Sequence, residues 1–326
     1  MKRVVGYIIV TILSVVGYAQ QYNPMYFEQV SMEQGLSQVS INSILQDSTG
    51  FLWFATLDGL NRYDGYTFKV FKPQADDPNS ISSNRILCLY LDSYGKIWVG
   101  TLGGGLNEYN PLTETFTRYM HDPDDENSIS NNDVYGIVED DDGLLWIATY
   151  GGGLNSFDRN THKFTAYKHN PSDKNSIGSN QVRVVNKDCY GNLWIGQNEG
   201  GGLDKFNKKT GVFTHVDFIA NDIMSIESDK NGDLWIGTYY GGFGVLNPQT
   251  HQYKLYEKKA GDTLTLSNNI VWTFYEDTLS NIMYVGTRGG GLNMYDLTTK
   301  KFLGCEKMNQ HEYGLASDNI SSVLRD

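Results

Sequence analysis

The sequence is poor in cysteine and in positive charge, and each shortage excludes a class of protein. Its 326 residues include three cysteines, Cys88, Cys189 and Cys305, which form no Cys-x-x-Cys pair. We therefore expect neither a disulfide framework nor a metal site, and we expect the thiols to be buried as small apolar groups. The formal net charge of −12 disfavours nucleic acid as a partner, because DNA binding relies on Lys and Arg contacts to phosphates.

Long apolar runs are also scarce, and the one present lies at the start of the chain. Lys2 and Arg3 precede an apolar stretch from Val4 to Gly17, and Ala19 completes the small-residue pattern of a signal-peptidase site. We predict a signal peptide at residues 1–19 and a mature domain at 20–326. A membrane anchor is the alternative, but the run is shorter than the roughly 20 residues that span a bilayer. We expect a periplasmic protein whose mature chain does not insert into a membrane.

What the sequence has in abundance is a repeat. A phrase that begins with Asp, makes a turn and continues through an aromatic residue occurs six times, with steps of 45, 48, 48, 41 and 49 residues between the aromatics; the first five copies have a Gly in the turn. The repeats are centred on Trp53, Trp98, Trp146, Trp194, Trp235 and Tyr284. This period is typical of a four-stranded propeller blade. The sequence therefore predicts an all-β fold, a β-propeller of four-stranded antiparallel blades.

Each repeat divides into four short strands separated by Gly, Asn and Asp turns, which leave no room for a long amphipathic helix. Residues six and three places before the turn Asp are apolar and form core, and the mostly small residues four places before it indicate that the first strand lies at the crowded hub. Recurrence of an aromatic residue at this position in all six repeats, Trp in five of them, indicates packing between blades rather than a row of sugar-stacking rings. Residues 317–326 match the start of a further repeat, and residues 26–31 match a fourth strand. We expect six complete blades plus a truncated seventh.

One longer phrase recurs almost unchanged. Gly-x-Leu-Trp-Ile-Gly-Thr-x-Gly-Gly-Gly-Leu-Asn-x-Tyr is matched at Gly95–Tyr109, Gly143–Phe157 and Gly191–Phe206, and Asn-Ser-Ile-Ser stands between repeats. The phrase resembles the two-component regulator propeller repeat, found in the periplasmic sensor region of hybrid two-component histidine kinases of glycan-degrading Gram-negative bacteria. The resemblance covers residues 26–326. It implies an extracytoplasmic ligand-sensing propeller that recognises an oligosaccharide without catalysis, with kinase and DNA-binding parts outside these residues.

Residues that break the repeat are the best candidates for recognition, because they are free of packing duty. They fall on the loops between second and third strands and at the start of the first strand, which should share one face of the disc. The candidates are Tyr135, Arg183, Trp272, Tyr150, Glu199, Tyr239, Tyr240 and Arg288. Aromatic rings with two arginines suit an oligosaccharide, with Arg183 or Arg288 binding a carboxylate or sulfate. We predict no catalytic set, no metal site and no cofactor.

Two other functions stay open at this stage. A polysaccharide-active enzyme, a glycosidase or a lyase, would need two non-repeated carboxylates facing each other in one pocket, and Glu199 and Asp58 are the candidates. A protein-interaction scaffold, which binds a second propeller or another copy of itself, would show a broad apolar patch on one face.

Overall fold

The computed structural model describes residues 25–218, 220, 222–308 and 314–325, so the predicted signal peptide lies outside the described residues. Six separate four-stranded antiparallel sheets form the blades of a propeller. The described helical structure is a single 3-10 turn, Met32–Gln34. The predicted all-β fold, with six four-stranded blades and very little helix, is confirmed.

Four consecutive strands form each blade, and their order in the sheet is their order in the chain. The first, inner strands are β1 (Ile41–Gln46), β5 (Ile86–Leu91), β9 (Val134–Glu139), β13 (Val182–Lys187), β17 (Ile223–Ser228) and β21 (Val271–Asp277). The second strands are β2 (Leu52–Thr56), β6 (Ile97–Thr101), β10 (Leu145–Thr149), β14 (Leu193–Gln197), β18 (Leu234–Thr238) and β22 (Ile282–Thr287). The third strands are β3 (Gly59–Tyr63), β7 (Leu106–Asn110), β11 (Gly153–Asp158), β15 (Leu203–Asn207), β19 (Phe243–Leu246) and β23 (Leu292–Asp296). The outer strands are β4 (Phe68–Phe71), β8 (Thr115–Tyr119), β12 (Lys163–Tyr167), β16 (Val212–Val216), β20 (Tyr253–Tyr256) and β24 (Lys301–Glu306).

The repeated Asp organises the turn between the first two strands. In blade two, the carboxylate of Asp92 accepts hydrogen bonds from the backbone N–H groups of Tyr94 and Lys96, each at 2.9 Å. The indole Nε1 of Trp98 donates to the other carboxylate oxygen at 2.8 Å. Gly95 completes the turn with a φ of 76°, a conformation that glycine adopts without a steric penalty. Blades one to five share this Asp and Trp pair.

The core lies between neighbouring blades rather than inside one sheet. Trp53 and Leu60 of blade one pack against Ile86, Val99 and Tyr109 of blade two. The equivalent clusters join the following blades in turn. The repeated Trp side chains are buried in these layers, so their predicted packing role is confirmed.

The segment that follows blade six lies between blade six and blade one and contacts both. The backbone N–H of Ile320 donates to the carbonyl of Thr287 in blade six at 3.0 Å. The N–H of Ile44 in blade one donates to Ser322 Oγ at 3.2 Å, and Arg325 forms an ion pair with Asp277 at 2.6 Å. Residues 319–325 thus contact both blades, but no strand is assigned there or in residues 25–31. The truncated seventh blade stays a prediction.

The prediction for the cysteines is wrong at one position. Cys189 is exposed, because it occupies the second position of the turn from Asp188 to Gly191, where the side chain faces solvent. Cys88 and Cys305 are half-buried. Burial raises the pKa of the Cys88 thiol to about 12, so this group stays protonated at neutral pH.

Candidate functional site

One residue from each inner strand faces the propeller axis. The pairing between first and second strands shifts at this residue in all six blades, which leaves it unpaired in a β-bulge. A bulge bends a strand and redirects the side chain of the extra residue. The six residues are Asn42, Leu87, Tyr135, Arg183, Met224 and Trp272, and all of them line a central cavity of about 260 Å³.

A second cavity, of about 330 Å³, opens beside the first on the face that carries the loops between second and third strands. Both cavities share Arg183, Met224 and Trp272, so they form one continuous space that we call the hub site. Loops of blades three to six supply its outer wall, which includes Tyr150, Asn198, Glu199, Asp222, Tyr239 and Arg288.

Seven of the eight predicted site residues line the hub site, and the eighth does not. Tyr240 is 70% exposed and contacts the ring of Tyr239, with centroids 4.4 Å apart. Its place next to Tyr239 in the loop turns its side chain away from the axis. The structure thus brings together Tyr135, Arg183, Trp272, Tyr150, Glu199, Tyr239 and Arg288.

Arg183 is the cation at the centre of the hub site. Its guanidinium lies 4.4 Å from the centroid of the Tyr135 ring, and that ring packs against Tyr150 with centroids 5.5 Å apart. Burial lowers the pKa of Arg183, yet a guanidinium remains charged in proteins. Ion pairs within 4.0 Å are found for other arginines of the described chain, but none for Arg183. Arg183 therefore lines the cavity with a positive charge that has no counter-ion among the described residues.

Arg288 and Trp272 form a second pair at the mouth. The Arg288 guanidinium lies 5.4 Å from the Trp272 ring centroid and donates to the hydroxyl of Tyr239 at 3.1 Å. Three polar atoms around the cavity, Trp272 Nε1, Ser225 Oγ and Asn198 Oδ1, are buried without a hydrogen-bond partner. Buried polar atoms are rarely left unpaired, so three polar groups with unused hydrogen-bonding capacity lie around the hub site.

The acidic part of the mouth differs from the sequence prediction. The Tyr150 hydroxyl donates to Glu199 at 3.1 Å, and the Glu199 backbone N–H donates to Asp222 at 2.9 Å. Burial, and then the hydrogen bond from its hydroxyl to Glu199, raise the pKa of Tyr150. Asp58 lines neither cavity and pairs with Lys72 at 2.7 Å, so it cannot partner Glu199.

Sequence reasoning missed Asp222, although its position carried a signal. It stands seven places before the turn Asp of its blade, where the other repeats have Ser40, Arg85, Asp133, Gln181 and Ile270. The residues at this position of the repeat share no packing role, and the same feature identified the other candidates. In the part of the chain that the structure describes, no group of three or more His, Cys, Asp or Glu is placed to hold a metal ion.

Four segments of the chain match the family model of the two-component regulator propeller, residues 35–58, 80–103, 128–151 and 217–240. Each segment spans the first two strands of a blade, in blades one, two, three and five. These segments are two-component regulator propeller repeats, as the resemblance of the repeated phrase indicated.

Solved and curated relatives place the fold in sensor regions. The extracellular domain of a hybrid two-component system from B. thetaiotaomicron is 30% identical with a TM-score of 0.81, over 93% of this chain and 39% of that chain. A histidine kinase of Formosa agariphila is 44% identical over 62 residues, which are 19% of this chain and 4% of the kinase. The chain therefore has the propeller fold of hybrid two-component sensor regions and spans less than half of these relatives.

The same fold also occurs in an enzyme. Virginiamycin B lyase from Staphylococcus aureus has a TM-score of 0.56 at 12% identity, over 78% of this chain and 83% of the lyase. This likeness concerns the fold alone. Within the described residues, no helix has the length and apolarity needed to cross a bilayer.

Proposed function

We propose that this chain is the extracytoplasmic sensing propeller of a hybrid two-component regulator and that it binds an oligosaccharide at the hub site. The sensing role rests on the propeller repeats and on the likeness to an extracellular sensor domain. The choice of ligand rests on the chemistry of the hub site itself.

The observation that carries the proposal is the set of unpaired groups around Arg183. Within the described ranges, its charge has no carboxylate partner, and Trp272 Nε1 and Ser225 Oγ beside it have no hydrogen-bond partner. Sugar hydroxyls supply both donors and acceptors to such groups, and the Trp272 ring, which lines both cavities, offers apolar surface to a pyranose. A carboxylate or sulfate on the sugar forms a charge-assisted pair with the guanidinium.

The test is binding of purified protein to a panel of neutral, uronate-containing and sulfated oligosaccharides, measured by calorimetry. Arg183→Gln removes the charge, and Trp272→Phe removes the indole donor but keeps a ring. We expect each change to weaken the best ligand by about tenfold or more, as the loss of a buried charged or polar contact does. Arg85→Gln is the matched control, because Arg85 is exposed and lines neither cavity. Equal affinity of all four proteins, or no binding to any glycan, would refute the proposal.

A glycan-cleaving enzyme is the second candidate, because Glu199 and Asp222 both line the mouth of the hub site. Paired carboxylates perform the acid and base steps of glycoside hydrolysis. Incubating the same panel with the protein and analysing the products separates the two functions. Product formation that is lost in both Glu199→Gln and Asp222→Asn would establish the enzyme. Binding without product supports the sensor.

A further inference from the structure

The outer rim of blade five lacks a cover that other blades have. In blades two to four the connection from the preceding blade crosses the outer strand, whose first Phe donates its backbone N–H to an Asn carbonyl of that connection. The pairs are Phe116 with Asn79, Phe164 with Asn127, and Phe213 with Asn175. The connection from blade four to blade five is the shortest of the connections between consecutive blades. There Tyr253 replaces the buried Phe, and it is 38% exposed.

An open cavity of about 330 Å³ follows on this rim, between β20 of blade five and β24 of blade six. It adjoins a larger one of about 650 Å³, because both are lined by Lys254, Tyr256, Tyr295 and Lys300. We call this continuous depression the lateral groove. Tyr253, Asn247 and Gln252 lie along its larger part.

The smaller part of the lateral groove concentrates positive charge in an acidic protein, whereas Asp229 and Asp233 line the larger part. Lys254, Lys259, Lys300 and Lys301 line its smaller part together with one acid, Glu257. All four lysines are exposed. Six other lysines of the described chain form ion pairs within 4.0 Å, and no such pair is found for these four among the described residues.

Aromatic groups lie among these cations. The Lys254 ammonium lies 4.8 Å from the centroid of the Tyr256 ring. The ring of Tyr253 contacts Phe218, with centroids 4.8 Å apart, and part of its side chain is exposed to solvent. Asn247 and Gln252 add amide donors and acceptors.

We propose that the lateral groove binds a polyanionic polysaccharide chain, independently of the hub site. Repeating sulfates or carboxylates neutralise the four lysines, while the exposed Tyr253 ring and the neighbouring amides bind the sugar units between them. An acidic peptide would use the charges but not the ring and amides, which favours a glycan. The groove is an open surface depression rather than a closed pocket, and such a shape suits a polymer.

The test uses dextran sulfate, with neutral dextran, polygalacturonate and polyglutamate as comparison ligands. Lys254→Gln, Lys300→Gln and Lys301→Gln are combined in one variant. We expect wild-type protein to bind dextran sulfate, the triple variant to bind it about tenfold more weakly, and salt to weaken wild-type binding more steeply than binding by the variant. Neutral dextran should not bind, and polygalacturonate binding would extend the site to carboxylates.

The matched control combines Lys163→Gln, Lys168→Gln and Lys174→Gln, three exposed lysines of blade three and its following connection. We expect this control to keep affinity within about twofold of wild type, and Glu257→Gln to raise affinity, because it removes the one acid of the smaller cavity. The triple lysine change should weaken dextran sulfate binding by about the same factor with or without Arg183→Gln in the background, which separates this proposal from the hub site. Equal loss in the control, or tighter binding of polyglutamate than of dextran sulfate, would overturn the proposal.

Discussion

The buried carboxylate of Asp92 is held by groups from two blades. Besides the Trp98 indole of its own blade, the Arg159 guanidinium of blade three binds it at 2.5 Å. Arg159 also pairs with Glu139, and all three side chains are largely buried. Removing one partner of a buried ion pair leaves a charge that water cannot reach. A single arginine therefore holds two acidic groups at a blade interface.

Replacing this arginine should destabilise the propeller strongly. We expect Arg159→Met to lower the free energy of unfolding by about 3 kcal/mol, because Asp92 and Glu139 lose their cation. Lys96→Met is the control: Lys96 pairs with Glu108 at the surface, and such pairs contribute at most about 1 kcal/mol. Urea denaturation of the three proteins gives the values. Similar losses in both variants would contradict the proposed role of burial.

Glu227 should make stability depend on pH. Burial, and then the charge of nearby Glu276, raise the pKa of Glu227 to about 7, while an unfolded chain has an ordinary glutamate. Between pH 4.5 and 7 the folded state therefore binds a proton that the unfolded state has released. The free energy of unfolding falls as the pH rises through that range, because the folded protein must then give up this proton.

The measurement compares unfolding free energies of wild type and Glu227→Gln at pH 5 and pH 8. The quantity of interest is the unfolding free energy of Glu227→Gln minus that of wild type. We expect this difference to be on the order of 2 kcal/mol larger at pH 8 than at pH 5. The comparison of the two proteins cancels the contributions of groups that do not interact with Glu227. An equal pH response in both proteins would show that Glu227 is already ionised in the folded state.

At the scale of elements, the short connection to blade five is stabilised by one aromatic side chain. Phe218 is buried and fills the space above Gly244, where an added Cβ would lie 2.7 Å from its ring. It also packs against Tyr253 of the outer strand. In the other blades the buried residue of the longer connection, such as Ile129 or Ile177, has this position in the repeat.

Shortening this side chain should loosen the outer strand of blade five. We expect Phe218→Ala to cost about 3 kcal/mol, because it removes a buried ring and leaves a cavity. Amide hydrogen exchange should increase first in β20, the strand that Phe218 covers. Leu264→Ala, at an exposed residue of the next connection, serves as the control and should change neither quantity. Unaltered protection of β20 in Phe218→Ala would contradict the assignment.

At the scale of the whole molecule, ring closure depends on residues 319–325. They contact blade six through Thr287 and blade one through Ile44. Propellers hide their sheet edges by closing the ring, and open edges favour association. Deleting residues 314–326 should therefore lower the melting temperature by several degrees and promote self-association.

The complementary experiment supplies about thirty residues with the pattern of strands two to four after Asp326. We expect this addition to complete a seventh blade, raise the melting temperature by several degrees and keep the protein monomeric. Thermal melting and size-exclusion chromatography of the three lengths side by side give the result. If the present chain is as stable and as monodisperse as the extended one, six blades close on themselves and the seventh-blade prediction is wrong.

Local chemistry made the blades predictable from sequence alone. The turn Asp, the following Gly and the buried Trp recur together because each turn satisfies its own backbone within a few residues, and alternating apolar positions then define the two faces of each strand. The residue five places before the turn Asp was identified as a hub residue by counting, although the β-bulge that points it at the axis was not visible in the sequence.

Tertiary structure alone decided which repeat-breaking residues meet. Arg183 of blade four lies over Tyr135 of blade three, Asp222 joins Glu199 at the mouth, and Asp58 lies elsewhere beside Lys72. Such encounters depend on how neighbouring blades are rotated about the common axis, and that rotation arises from packing between blades. The repeat pattern treats every blade alike, so it carries no information about which exceptions face each other.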